Sequence, residues 1–400
     1  MKQTKKKRQT VSFNDFWKKY RPEILVLVIA LVLFIAGWHW AAPEEDTGNQ
    51  ADAYAENEMA KVVEVLSDDT EPDPVSDGGW RGEQLLLAEV TSGQYKGQTL
   101  QVGNFVGPLY GGPVEAGDGV VLLISTDADG SYRGTVYEFN RALPLAIVVL
   151  LFLIAAIVVG GKTGAKSLVG LAVTLACLFG ILIPALMKGA PTLPLVFATC
   201  AFIAVVSLTI LGGIQKKTVC AMLGVIAGTA LALFFGLAAQ WICRIDGLRT
   251  EDVEPLLQLR QTGVPIGLTG LLVGGVVISA LGAVMDVAMG ISSSLTEVYA
   301  ADNNLTRREL VRSGMNNGRD MVGTMTNTLI LAFLGSSFVL ILYLYSMDLA
   351  FHQLLSSAFL ATEVISSVSS SIGVILSIPI TALITAVMLP RKGKDEARAA

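Results

Sequence analysis

Asp286 closes an otherwise apolar, glycine-rich run, IGLTGLLVGGVVISALGAVM. A carboxylate is costly in hydrocarbon, so a run that admits one turns it toward a bundle interior or a water-filled cavity. Wound as a helix, Gly275, Ser279, Gly282, Asp286, Gly290, Ser293 and Glu297 step by three or four and share one face. The following segment, SGMNNGRDMVGTMTNT, repeats the pattern with Arg312, Asn316, Asp320, Gly323 and Asn327. Arg319 and Asp320 stand where that segment enters apolar sequence, and Thr324, Thr326, Asn327 and Thr328 carry the polar groups onward. Carboxylates, hydroxyls and amides in series suit a proton relay or a small-cation site. The competing use is packing, with small residues and interhelical hydrogen bonds holding two close helices together. The candidate ion or substrate pathway is Asp286, Ser293, Glu297, Asn316, Arg319, Asp320, Thr324, Thr326 and Asn327. Thr306 and Glu309, spaced as a capping box, mark the start of the second helix.

Such residues need a hydrophobic setting, and the composition supplies one. The chain is 52% hydrophobic and only 16% charged, where soluble domains carry roughly a quarter charged residues. Basic residues gather at both ends, and bilayer-flanking lysines and arginines account for them without nucleic acid as a partner. The two histidines, His39 and His352, belong to no metal-ligand cluster. Cys177, Cys200, Cys220 and Cys243 all lie within or beside apolar runs and form neither a CxxC pair nor a disulfide framework. GGKTGAKS lacks the spacing of a phosphate loop, and no nucleophile elbow is present. The reading is a non-enzymatic protein with no catalytic residue, no metal and no cofactor.

The elements that would position the polar face follow in order. Residues 1–23 are a basic leader, 24–40 an uncleaved signal anchor with Trp38 and Trp40 at its outer edge, and 41–59 an acidic, alanine-rich linker. Residues 60–141 read as β structure: AKVVEVL, EQLLLAEVT, QTLQVGNFV, DGVVLLIST and SYRGTVYEF, separated by turns such as SDGG, YKGQ and DADGS. Five short strands suggest a small barrel, OB-like or similar, and without a basic aromatic groove it reads as a structural or partner-docking module. Residues 142–390 hold seven apolar segments, Leu143–Val159, Leu168–Met187, Leu193–Ile214, Val219–Trp241, Ile266–Met285, Met321–Tyr345 and Ile372–Leu389, and 391–400 form a basic tail. The fold class is thus a polytopic α-helical membrane protein of about eight transmembrane helices with a small extracytoplasmic β-barrel-like domain. Loops that alternate in charge place 20 of the 29 Lys and Arg on one side. This puts both termini in the cytoplasm and residues 42–140 outside. Cys243–Gln261 reads as a short amphipathic helix, and Met347–Ser366 as an interfacial or re-entrant segment. Nothing in the spacing sets an oligomeric state.

GAVMDVAMGISSSLTEV and LVRSGMNNGRDMVGTMTNTLILAFLGSS resemble the signature of the bacterial YibE/F membrane-protein family, over roughly residues 60 to 390. The resemblance implies a multipass protein of the bacterial cell membrane and brings no substrate with it. A looser likeness ties the aspartate-bearing span and the Thr/Asn-rich re-entry to SecD/SecF and other proton-driven exporters, from which one external domain and eight spans depart. Two functions follow as expectations: a proton- or cation-coupled secondary transporter or exporter using the polar seam, or a non-transporting scaffold whose external β domain docks a partner.

Overall fold

The computed structural model describes residues 13–42, 55–126, 132–245 and 253–389. Most of the basic leader, most of the acidic linker, the DADGS turn, Arg249 and the basic tail lie outside the described residues. The chain divides into two units, residues 44–158 and the remainder.

The first unit is a closed five-stranded barrel. Its strands are β1 (Ala55–Asp68), the two-residue β2 (Glu71–Pro72), β3 (Trp80–Val90), β4 (Thr99–Val106), β5 (Gly119–Thr126) and β6 (Tyr132–Phe139). Around the barrel the order is β1, β5, β6, β4, β3 and back to β1, while β2 pairs only with β3. Every principal pairing is antiparallel except β4 with β6, which is parallel. Five strands closed in this way, with one parallel seam, form the OB-type barrel the strand spacing suggests. Alternation fixes which side faces in: Gln84, Leu86, Ala88 and Val90 of β3 are buried, as are Val120, Leu122 and Ile124 of β5.

Two buried amides are built into this core and are satisfied there. Gln84 Oε1 accepts from Asn104 Nδ2 and from the Val114 backbone N–H, both at 2.9 Å, and Gln84 Nε2 donates to Asp68 Oδ2 at 3.0 Å. Hydrogen bonds from the Thr70 hydroxyl, from Gln84 and from the Thr70 backbone hold the Asp68 carboxyl below its ordinary value of 3.8. A lowered folded-state pKa contributes stability above the unfolded value and loses it as pH falls through the folded one. The melting temperature of the barrel is therefore expected to fall as pH drops below 3.8, and Asp68→Asn to flatten that dependence, measured by circular dichroism across an acid titration. An unchanged slope in the variant would remove Asp68 from the account.

The second unit is helical. Its elements are α1 (Phe13–Ala41), α2 (Ala142–Cys177, whose first turns belong to the barrel unit), a π-helical turn (Leu178–Leu182), α3 (Ile183–Met187), α4 (Thr192–Gly212), α5 (Lys216–Cys243), α6 (Val253–Gln261), α7 (Leu271–Ala301), α8 (Arg307–Ser336), α9 (Phe338–Ser346), α10 (Phe351–Leu355) and α11 (Ala358–Met388). Among the described residues six helical runs are long and apolar enough to cross a membrane, or seven if α8 and α9, bent by 61° at their junction, form one span.

Expected and observed boundaries compare at three places. Leu143–Val159 and Leu168–Met187 belong to one helical run of 46 residues, at about 1.5 Å per residue more than two bilayer thicknesses. Its interior break is Gly161 (φ 55°, ψ −132°). The intervening GGKTGAKS supplies a glycine whose positive φ makes this kink, so two helices meet just past the end expected for the first segment. Met347–Ser366 holds the short α10 and then the opening turns of α11, which starts fourteen residues before Ile372. Cys243–Gln261 ends in a short helix, α6, as its pattern suggests.

The helical core lies where α4, α5, α7 and α11 meet, around Ile203, Val225, Ala280, Val284 and Ile378. Glycines let the helices approach. A Cβ at Gly228 of α5 would stand 2.7 Å from Val284 Cγ1 and 2.8 Å from Ser377 Cβ, and one at Gly373 of α11 would stand 2.7 Å from Ala232 Cβ. α8 rests on α11 through a second pair with small-xxx-small spacing: a Cβ at Gly314 would meet Ala382 Cβ at 2.8 Å, and one at Gly318 would meet Ile378 Cγ2 at 2.2 Å.

Candidate functional site

The position of α8 decides where the expected polar face goes. Because Gly314 and Gly318 take the contact with α11, the stripe Arg312, Asn316, Asp320, Gly323 and Asn327 turns outward, and all five are exposed. Arg319 and Thr324 are exposed as well, and Thr324 donates only within its own helix, to Met321 O at 3.1 Å. Thr326 is half-buried, and its hydroxyl has no partner among the described residues. On α7, Asp286 and Glu297 are exposed and Ser293 is half-buried. Among the described residues Asp286 forms neither a hydrogen bond nor an ion pair, so it is not joined to Arg319 or Asp320. The contact between α7 and α8 is made by neighbouring columns instead. Asn317 Nδ2 donates to Ser294 Oγ at 2.5 Å, and Met321 packs at Gly290. Thr306 and Glu309 form the expected capping box at the start of α8.

The polar groups that do converge lie on α11, the helix packed by α5, α7 and α8 together. Thr362, Ser367, Ser369, Ser370, Ser371, Ser377, Thr381 and Thr385 are all buried. From Thr362 to Thr385 they span about 34 Å at 1.5 Å per residue, close to the roughly 30 Å of a hydrocarbon core. Some of these hydroxyls bond back along the helix, as Ser377 does to Val374 O at 2.7 Å. Ser370 reaches across to α7, 3.0 Å from Ser279 Oγ and 3.2 Å from Val276 O. Ser371 Oγ and Thr381 Oγ1 have no partner among the described residues, and Thr385 lies against the Cys220 thiol. Pro379, inside the same helix, cannot donate to the Ile375 carbonyl one turn earlier.

A cavity lies near each end of α11, and the one at the Thr362 end is lined by a hydroxyl of the column. At the Thr362 end a cavity of about 540 Å³ is bounded by Leu272 and Gly275 of α7, by Ser336 and Ser337 at the α8–α9 bend, and by Thr362, Glu363 and Ser366 of α11. The helical ladder is interrupted at that bend, an arrangement tolerated at membrane depth only where the backbone lines a cavity or is buried in protein. Glu363 is half-buried at the rim and forms no ion pair among the described residues. At the Thr385 end a cavity of about 460 Å³ is bounded by Gln215, Lys216 and Lys217 of α5, Thr296 and Tyr299 of α7, Asn303 and Leu389. A third, of about 380 Å³, lies between α2, α4 and α7 and includes Ser207, Ser279 and Gly282, one turn from Asp286. Among the described residues no group of three or more His, Cys, Asp or Glu gathers to hold a metal. The signal missed in the sequence is SSVSSS at 366–371, five serines inside an apolar run, followed by Ser377, Thr381 and Thr385 at helical spacing.

Several long apolar helices around a hydroxyl-lined centre, joined to a small closed barrel, define a class compatible with a multipass membrane protein. The chain belongs to the YibE/F family: residues 148–391 match the family described as YibE/F-like protein. The match takes in the helical unit from α2 through α11 and leaves out α1 and the strands. No curated protein and no solved structure matches the chain.

Proposed function

We propose that the chain is a multipass protein of the bacterial cell membrane that moves a proton or a small cation along α11, as a coupled transporter or exporter rather than an enzyme. The observation that carries this reading is the column of buried hydroxyls from Thr362 to Thr385, which starts at a cavity edged by Glu363 and runs along α11 toward the end where Lys216 and Lys217 edge another. Apolar side chains would pack three helices against α11 at lower cost, and unpartnered hydroxyls in a bilayer are expensive unless something occupies them in turn. The route runs from the Glu363 cavity past the Ser370–Ser279 pair and on toward the lysine cavity, with Asp286 on the open face of α7 as the group able to take up and release charge.

In this reading the 46-residue run from Ala142 supplies two crossings and α8 with α9 a third, for eight in all. Both termini are cytoplasmic and the barrel is outside, since Lys162, Lys166, Lys216, Lys217 and the arginines of α8 fall on one side. The lysine cavity is then cytoplasmic and the Glu363 cavity external. Neither nucleic acid nor a cofactor enters the scheme.

A substituted-cysteine scan in a cysteine-free background tests the hydrated column. Ser366→Cys, Ser370→Cys and Thr381→Cys are expected to react with a small charged thiol reagent in the membrane-embedded protein, and Val374→Cys, buried on the same helix, to stay inert. Protection at all four positions would reduce the hydroxyls to packing and remove the conduit.

A further inference from the structure

Four of the barrel's exposed apolar and aromatic side chains cluster at one end. β4 and β6 pair in parallel, Val102 with Gly134 and Gly103 with Thr135, so both strands finish at the same end. Two residues beyond that register, Phe105 and Tyr137 stand on the outer surface, 45% and 63% exposed. Past the end of β4, Leu109 is 91% exposed and Tyr110 64%, with the Tyr110 ring 6.2 Å from that of Phe105. These side chains edge a shallow cavity of about 320 Å³. A clustered apolar patch of this kind on a small domain marks a surface that something covers.

The same end is where the chain leaves the barrel for α2. β6 stops at Phe139 and α2 begins at Ala142, so only Asn140 and Arg141 intervene. Both are fixed. The Asn140 N–H donates to Gly119 O at 2.9 Å, Asn140 Oδ1 accepts from the Ala142 N–H at 3.1 Å, the Leu145 N–H donates to Arg141 O at 2.9 Å, and Arg141 pairs with Glu138. From Leu143 onward α2 exposes Leu143, Leu145, Val148 and Leu150. Tyr137 precedes Leu143 by six residues, at most about 20 Å of chain. The aromatic patch thus stands a short length of chain from the exposed apolar run of α2, and aromatic side chains of this kind collect at membrane interfaces.

We propose that Phe105, Leu109, Tyr110 and Tyr137 seat the barrel on the bilayer surface that α2 enters, with their side chains in the interfacial layer. The occupant is lipid because a rigid two-residue joint ties the end of the barrel that carries the patch to an exposed apolar helix. The β2–β3 turn, with Asp73 and Asp77, lies across β3 from β4. Docking goes beyond ion conduction and rests only on the membrane-spanning part of that proposal.

The test uses the full chain, with its four cysteines replaced by alanine, in liposomes of phosphatidylcholine and phosphatidylglycerol. Nitroxide labels are placed singly at Leu109→Cys, at Tyr110→Cys, at Gln94→Cys in the β3–β4 turn of the opposite end, and at Leu150→Cys in α2. The relaxation effects of oxygen and of a water-soluble nickel complex report depth. The expected result is a severalfold higher oxygen-to-nickel ratio at 109 and 110 than at 94, approaching that at 150. A lipid-like ratio at 150 with 109 and 110 equal to 94 would overturn docking and leave the membrane reading intact. Labels at 109 and 110 shielded from both reagents would indicate a protein partner, which also overturns it. A water-like ratio at 150 would overturn the membrane reading and the docking with it.

Discussion

Replacing Gly228 with leucine is expected to prevent the helical unit from assembling. The first added carbon already falls 2.7 Å from Val284 Cγ1 and 2.8 Å from Ser377 Cβ, and neither neighbour is the free end of a flexible chain. Overpacking a close-packed core costs about 1–3 kcal/mol where neighbours can shift, and here α7 and α11 are both in the way. Loss of the α5–α11 approach would also open the register in which Gly373 meets Ala232. The membrane-extracted protein should lose its monodisperse elution peak and its cooperative melt. Gly275→Ala is the matched control, since nothing lies within 4 Å of the added carbon, and it should melt as wild type does. Equal behaviour of Gly228→Leu and wild type would mean that α5, α7 and α11 do not cross where described.

Replacing Asp286 with asparagine is expected to abolish transport while leaving protein levels normal. The carboxylate has no ion-pair or hydrogen-bond partner among the described residues, so its loss strands no buried countercharge and removes the most expensive group from an apolar helix. Abundance should equal or exceed wild type, and adding Arg319→Gln should change nothing further, because the two side chains are not joined. Asparagine keeps the shape but cannot exchange a proton or carry a charge, and a carrier that depends on that exchange stops. Asn327→Ala, on the exposed face of α8, should give a smaller loss. Immunoblots of membrane fractions and flux in the same vesicles separate the two effects. A fall in abundance on Asp286→Asn that Arg319→Gln reverses would contradict the separation of these residues.

What could be read from the sequence was what local physics decides. The alternation in EQLLLAEVT places Gln84, Leu86, Ala88 and Val90 inward without reference to the rest of the chain, and the barrel follows from five such patterns. Thr306 and Glu309 announce the start of α8 because a cap is made within one turn. The apolar runs announce helices by length alone. What sequence periodicity did not decide was which of two faces a helix buries. α8 carries a polar stripe and, about half a turn away on the opposite face, the pair Gly314 and Gly318; the steric advantage of close approach to α11 gives the buried side to the glycines. The serines at 366–371 sit beside a segment that reads as interfacial or re-entrant, and only the position of α11 among α5, α7 and α8 shows most of them to be interior. Between the two expected segments Gly161 kinks the run, and the helix resumes at once on the far side.

The measurement closest to the central claim is cation flux through the purified protein in sealed liposomes. With a proton gradient and then a sodium or potassium gradient imposed, wild-type vesicles are predicted to dissipate at least one of them faster than protein-free vesicles, and Asp286→Asn and Glu363→Gln vesicles of equal protein content to match the protein-free rate. Wild-type flux that persists undiminished in both variants would contradict the account.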